Sequence, residues 1–193
     1  GGVFVGGAYS NKKSTSVGSG NLTIDGGTFH DNVYGGSQVM YASGKTNTVG
    51  SITVNMNGVT NVNGIFSLYA GGMAAGTTHA STAYTVTGGV TVNVTGGDWC
   101  NNSAVGGHGL FGGIFAGDSA SGGTTGVTAA VAGGVNISIS GGTLGNVYGG
   151  GWAQKGGISR VAGGVNISVS GGTVKNVFGG GAHSTTGDTG AST

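Results

Sequence analysis

The sequence predicts an all-β protein, a single-stranded parallel β-helix (β-solenoid) of about five coils of 30–46 residues, in one domain over residues 1–193. Three observations predict it. First, the chain repeats itself: residues 163–182 read GGVNISVSGGTVKNVFGGGA, and residues 133–152 read GGVNISISGGTLGNVYGGGW. Near-identical copies at a fixed period are units that each bury an apolar face on the next. Second, Val135, Ile137 and Ile139 alternate with Asn and Ser, as do Val165, Ile167 and Val169. A period of two marks a strand with one buried face, so these six residues are expected inside and Asn136, Ser138, Asn166 and Ser168 outside. Third, 49 of the 193 residues are Gly and none is Pro, with the glycines clustered between apolar strands and no Gly-X-Y period. Such glycines permit tight corners where coils approach closely. The competing fold is an antiparallel sandwich with turns every ~8–12 residues, which does not need copies in one register.

Each coil is expected to hold three short strands. The first recurs as Leu22-Thr23-Ile24-Asp25, Ile52-Thr53-Val54-Asn55-Met56 and Val90-Thr91-Val92-Asn93-Val94, besides the two copies above. Gly-Gly-Thr after it signals a turn. The second is phased on Val3-Phe4, Val33-Tyr34, Leu68-Tyr69, Ile114-Phe115, Val147-Tyr148 and Val177-Phe178, at spacings of 30, 35, 46, 33 and 30 residues. Val17, Val86, Val131 and Val161 mark a third apolar patch. The extra residues at 41–48, 75–82, 99–110 and 119–125 are expected as rim loops. The segment 99–111 is the most distinctive of these, although plain surface decoration explains it too.

Stacked coils set equivalent side chains about 4.8 Å apart. The recurring aromatics therefore predict a ladder, facing either the core or solvent. Facing outward, Tyr34, Tyr69 and Tyr148, with Trp99 and Phe111 of the insertion, are candidate ligand-binding residues for cell-surface glycans. Asn55, Asn93, Asn136 and Asn166 recur in the first strand, and Asn32, Asn146 and Asn176 beside the aromatics. Stacked amides of this kind can bond along the axis.

Composition argues against several function classes. A formal net charge of +1 is too weak to attract nucleic acid or anionic lipid. No apolar run approaches the ~20 residues of a membrane span, and with no initiating Met the chain reads as a processed product or an excised part of something longer. Cys100 is the single cysteine and has no intrachain disulfide partner. The four histidines show no metal-ligand spacing. Ser43-Gly44-Lys45-Thr46 ends like a phosphate loop, but Val39 stands where its first glycine is needed. Gly107-His108-Gly109 matches a short motif of polygalacturonases, but their clustered aspartates and Arg-x-Lys segment are lacking. Asp98 and Asp118 are the one carboxylate pair to consider for glycan hydrolysis. No catalytic residue, cofactor or metal site is expected.

The unit Val-Asn-Ile-Ser-Ile-Ser-Gly-Gly-Thr-Leu-Gly-Asn-Val-Tyr-Gly-Gly-Gly resembles the repeats of bacterial β-helical surface proteins, the adhesin-like passengers of autotransporters. The resemblance implies an extracellular or cell-surface location and an adhesive or structural role. The two ends of the chain fall at the same phase of the repeat. Val3, Phe4 and Val5 at one end, and Val177 and Phe178 at the other, are therefore expected to be uncapped edges. Joined head to tail, such edges propagate as a filament. The leading expectation is thus a self-assembling structural subunit of an extracellular fibre. An adhesin that binds glycans through loops or the aromatic strip is the alternative, and a carbohydrate-active enzyme a third reading.

Overall fold

The computed structural model describes residues 3–5, 14–40, 44, 46–61, 66–75, 83–100, 108–117, 127–154, 156–183 and 191–192. Most of the expected rim loops, together with Lys45, Gly107 and Asp118, lie outside the described residues. All secondary structure among the described residues is β-strand, paired parallel in four sheets.

Each sheet is a stack in which a strand pairs with its counterpart in the next repeat. The first stack holds β2 (Thr15–Val17), β7 (Thr46–Val49), β12 (Ala83–Val86), β17 (Thr128–Val131), β21 (Ile158–Val161) and β25 (Ala191–Ser192). The second holds β3 (Gly20–Ile24), β8 (Ile52–Met56), β13 (Val90–Val94), β18 (Val135–Ile139) and β22 (Val165–Val169). The third has two halves. One half contains β4 (Thr28–Phe29), β9 (Val59–Asn61) and β14 (Gly97–Trp99); the other contains β1 (Val3–Phe4), β5 (Val33–Tyr34), β10 (Leu68–Tyr69) and β15 (Leu110–Phe111). Both halves meet on the unbroken β19 (Thr143–Tyr148), which β23 (Thr173–Phe178) covers. The fourth stack holds β6 (Gln38–Met40), β11 (Gly72–Ala75), β16 (Ile114–Gly117), β20 (Trp152–Ala153) and β24 (Ala182–His183).

The near-identical copies stack in the expected register. Val135 pairs Val165, Asn136 pairs Asn166 and Ile137 pairs Ile167. The expected apolar patch of Val17, Val86, Val131 and Val161 is one column of the first stack. Val135, Ile137 and Ile139 are buried while Asn136 and Ser138 are exposed, so the alternation turns a hydrophobic face inward as expected. Between the second and third stacks the chain turns through Gly97, Gly142 and Gly172, at φ of +99°, +91° and +80°. Only glycine takes this left-handed backbone without strain, which explains why the turn keeps it in successive repeats.

Three expectations are corrected. Val165 and Val169 are exposed and Ile167 is half-buried, because among the described residues no strand pairs with the outer edge of β22. A repeat crosses four stacks, not three, with five strands in the first three repeats and four in the next two. The fourth stack was hidden because its strands are as short as two residues beside a glycine triplet, too little to set a period. The fourth aromatic rung is also reassigned. Phe111, not Phe115, pairs with Tyr69 and Tyr148, while Phe115 pairs with Met73 and Trp152 in the fourth stack. Leu110-Phe111 and Ile114-Phe115 are both aliphatic–aromatic pairs before Gly-containing sequence, so spacing alone could not choose between them.

Candidate functional site

In the third stack, neighbouring residues of one strand face opposite ways. Val33, Leu68, Leu110 and Val147 enter the main core, each at most 1 % exposed. Their aromatic neighbours point to the other side and form a second cluster. Phe4, Tyr34, Tyr69, Phe111, Tyr148 and Phe178 stack with centroids 4.6, 5.5, 5.0, 4.6 and 4.8 Å apart in that order. No pair in the series is more than 20° from parallel. Strand spacing imposes this close parallel stacking, a geometry aromatic pairs adopt favourably when the rings are offset.

The ladder is not open along its length. Tyr34, Tyr69 and Phe111 are buried, with Met73, Phe115 and Trp152 of the fourth stack packed on them. Tyr148 is half-buried and Phe178 exposed. Burial raises the Tyr69 hydroxyl far above its ordinary pKa, and raises those of Tyr34 and Tyr148 too. Trp99 is also buried, in the main core, with its ring 6.2 Å from Phe29. Cys100 follows it at φ 51°, with its thiol donating to the Phe66 carbonyl and held protonated by burial. Residues 101–107 of the insertion lie outside the described residues. Of the candidate binding aromatics, therefore, Tyr148 alone has a partly open ring.

Polar chemistry near the ladder is sparse. His108 sits 6.1 Å from Trp152, edge to face, and desolvation lowers its pKa. Its Nδ1 is 3.4 Å from the hydroxyl of buried Ser67, which accepts from the Gly109 N–H at 3.2 Å. Asp118 lies outside the described residues, so its pairing with Asp98 has no described geometry. No group of three His, Cys, Asp or Glu side chains able to hold a metal exists among the described residues, and no described helix is long and apolar enough to cross a membrane. A cavity of about 230 Å³ between residues 133–136 and 163–166 is lined without an ionisable side chain.

The end faces are more distinctive. Among the described residues, Val165, Val169, Val177 and Phe178 are the exposed large hydrophobic residues, at 37 to 48 %. Their counterparts one repeat earlier, Val135, Ile139 and Val147, are at most 1 % exposed. At the opposite face Val17, Leu22 and Phe29 are half-buried, although Leu22 stands in the column of fully buried Val54, Val92 and Ile137. Val3 and Phe4 pair with Val33 and Tyr34 and are half-buried. Sequence reasoning named Val177 and Phe178 at one edge but missed Val165 and Val169, since period-two alternation gives a strand's inward face and not whether a further strand lies on it. Amides continue the column along the outside: Asn93 donates to Asn55 at 2.8 Å and Asn176 to Asn146 at 2.8 Å. Compared with protein-family models, curated proteins and solved structures, the chain has no match.

Proposed function

We propose that this chain is a structural segment of an extracellular filament or surface fibre, and that its four stacks close into one single-stranded parallel β-helix. The order of the stacks supports the helix, because the chain visits first, second, third and fourth in turn before returning one rung higher. One observation carries the assembly. The last repeat offers Val165, Val169 and Val177 to solvent, at positions where every interior repeat buries its residue under the next copy, and exposes Phe178 beyond the half-buried Tyr148. Each such side chain contributes about 1.5–3 kcal/mol when fully covered, and the natural cover is another repeat of the same kind. A net charge of +1 adds little repulsion between copies. Glycan binding along the aromatic strip has less support, because Tyr34, Tyr69 and Phe111 are covered. In this reading the protein works outside the cell, as its resemblance to bacterial surface repeats implies, and needs neither cofactor nor metal.

Sedimentation velocity and negative-stain electron microscopy across a concentration series test it. The native chain is expected to form filaments. Val177→Asp combined with Phe178→Asp should keep the native circular dichroism, since both sites are exposed, and should abolish filaments. A native chain that stays monomeric at high concentration overturns the proposal.

A further inference from the structure

The four stacks turn unlike faces outward. Among the described residues, the outer side of the first carries Ile158 and Arg160. The third carries the aromatic ladder, and Met73, Phe115 and Trp152 stand on the fourth. The second stack is uniform. One of its outward columns runs from Asn21 to Asn166 and the other from Thr23 to Ser168, and every residue in both is Ser, Thr or Asn. A third row follows just past the strand ends, from Asp25 to Ser170, and departs from this composition only at Asp25.

Short side chains on paired parallel strands make this face regular, with one rung every ~4.8 Å. Bonds between rungs fix part of it. Asn93 donates to Asn55 at 2.8 Å, Asn57 to Asp25 at 2.7 Å and Thr95 to Asn57 at 2.7 Å. The side chains of Thr53, Thr91, Asn136 and Asn166 bond to no other described residue, so their hydroxyls and amides offer both donors and acceptors to whatever lies outside. Asp25 is the one ionisable group of the face, which leaves little charge to repel a like surface.

A partner for such a face must be uncharged, must hydrogen-bond as donor and as acceptor, and must repeat at the strand spacing. A second copy of this chain meets all three conditions with the same face. Small polar side chains of two facing sheets can interdigitate, and ladders of Asn support such zippers. Area sets the level at which pairing holds. Five strands of five residues make a face on the order of 400 Å². Two such faces together bury about 800 Å², less than the ~1,200 Å² of a stable interface. One pair of chains is therefore too small, whereas copies joined along a filament add their faces and pass that size within two or three repeats of the contact.

Resting on the assembly reading above, we infer that filaments of this chain pair side by side, second-stack face against second-stack face, through a zipper of Ser, Thr and Asn side chains. Rungs of equal spacing on both sides let the faces meet in any whole-rung register. The aromatic crease between the third and fourth stacks stays outside the joint.

Electron microscopy of the native filaments reads the pairing as a doubled width. Asn136→Lys with Ser168→Lys sets two like charges on the face of every copy, at exposed sites. With native circular dichroism, this variant should form filaments at the same protein concentration as the native chain, and they should stay single. Thr128→Lys, exposed on the outer side of the first stack, should leave the pairs intact. Native filaments that are single throughout, or pairs that survive the two lysines, overturn the pairing and leave the assembly reading standing. Pairs that Thr128→Lys also separates overturn the second stack as the joint. Co-sedimentation of the native chain with microcrystalline cellulose, lost in the double-lysine variant, would give the face to a polysaccharide surface and likewise overturn the pairing. Absence of filaments in every chain overturns both the pairing and the assembly reading.

Discussion

At the scale of single residues, the informative feature is a polar row inside an apolar interior. The inward column of the first stack runs Asn47, Tyr84, Ala129, Ser159. Asn47 Oδ1 accepts from the Thr15 N–H at 3.2 Å and the Thr15 hydroxyl at 2.8 Å. The Tyr84 hydroxyl accepts from the Ser37 N–H at 3.0 Å and donates to the Gly71 carbonyl at 2.8 Å, and Ser159 donates to the Ile114 carbonyl at 2.7 Å. Tyr84 and Ser159 thus brace the first stack against the turns that lead into the fourth. Burial pushes the Tyr84 phenol up from 10.0 to about 12, since the phenolate would be desolvated. A raised folded-state pKa means its stabilisation is complete below pH 10.0 and is lost as pH climbs through about 12. Tyr84→Phe should destabilise the protein by about 1–3 kcal/mol in urea unfolding at neutral pH, and should flatten the alkaline loss. A variant with native stability and an unchanged alkaline profile would show that the brace is idle.

At the scale of elements, equal sequences have unequal environments. Ile139 and Val169 occupy the same column, yet one is 0 % and the other 46 % exposed. Ile139→Asp should leave the chain unfolded by circular dichroism, because a buried unpaired carboxylate costs more than ~4 kcal/mol. Val169→Asp should fold with a cooperative melt. Equal damage from the two substitutions would mean that the last strand is as enclosed as the interior ones. The third stack makes the same point about insertions. It is continuous as Thr143–Tyr148 in the fourth repeat, but earlier repeats divide it, and the third repeat places eleven residues between Trp99 and Phe111. The stack tolerates this because both flanks, Asp98-Trp99 and Leu110-Phe111, still pair with β19.

At the scale of the whole molecule, all stacks share one strand spacing. Filaments built by continuing them should therefore diffract along the fibre axis, with a meridional reflection near 4.8 Å from aligned samples. An equatorial reflection at that spacing would mean strands stacked across, not along, the fibre axis and would exclude end-to-end growth. Parallel pairing of distant segments supplies the molecule's order, since each rung is set by a counterpart about one repeat away.

The sequence alone determined the strands of the second stack, their parallel register and their inward face, because Val-Asn-Ile-Ser-Ile and its copy fix period and phase at once. It also foresaw a stacked aromatic column, but not which way that column faced. Alternation says that Val33 and Tyr34 oppose each other; only the position of Met73, Phe115 and Trp152 decides that the aromatic side is covered. The choice of Phe111 over Phe115 likewise needed the neighbours, since both pairs satisfy the same local pattern. The end faces were beyond any local reading. Val135 and Val165 have the same sequence context, and what separates buried from exposed is whether a further strand lies on top, a property of the stack and not of the residue.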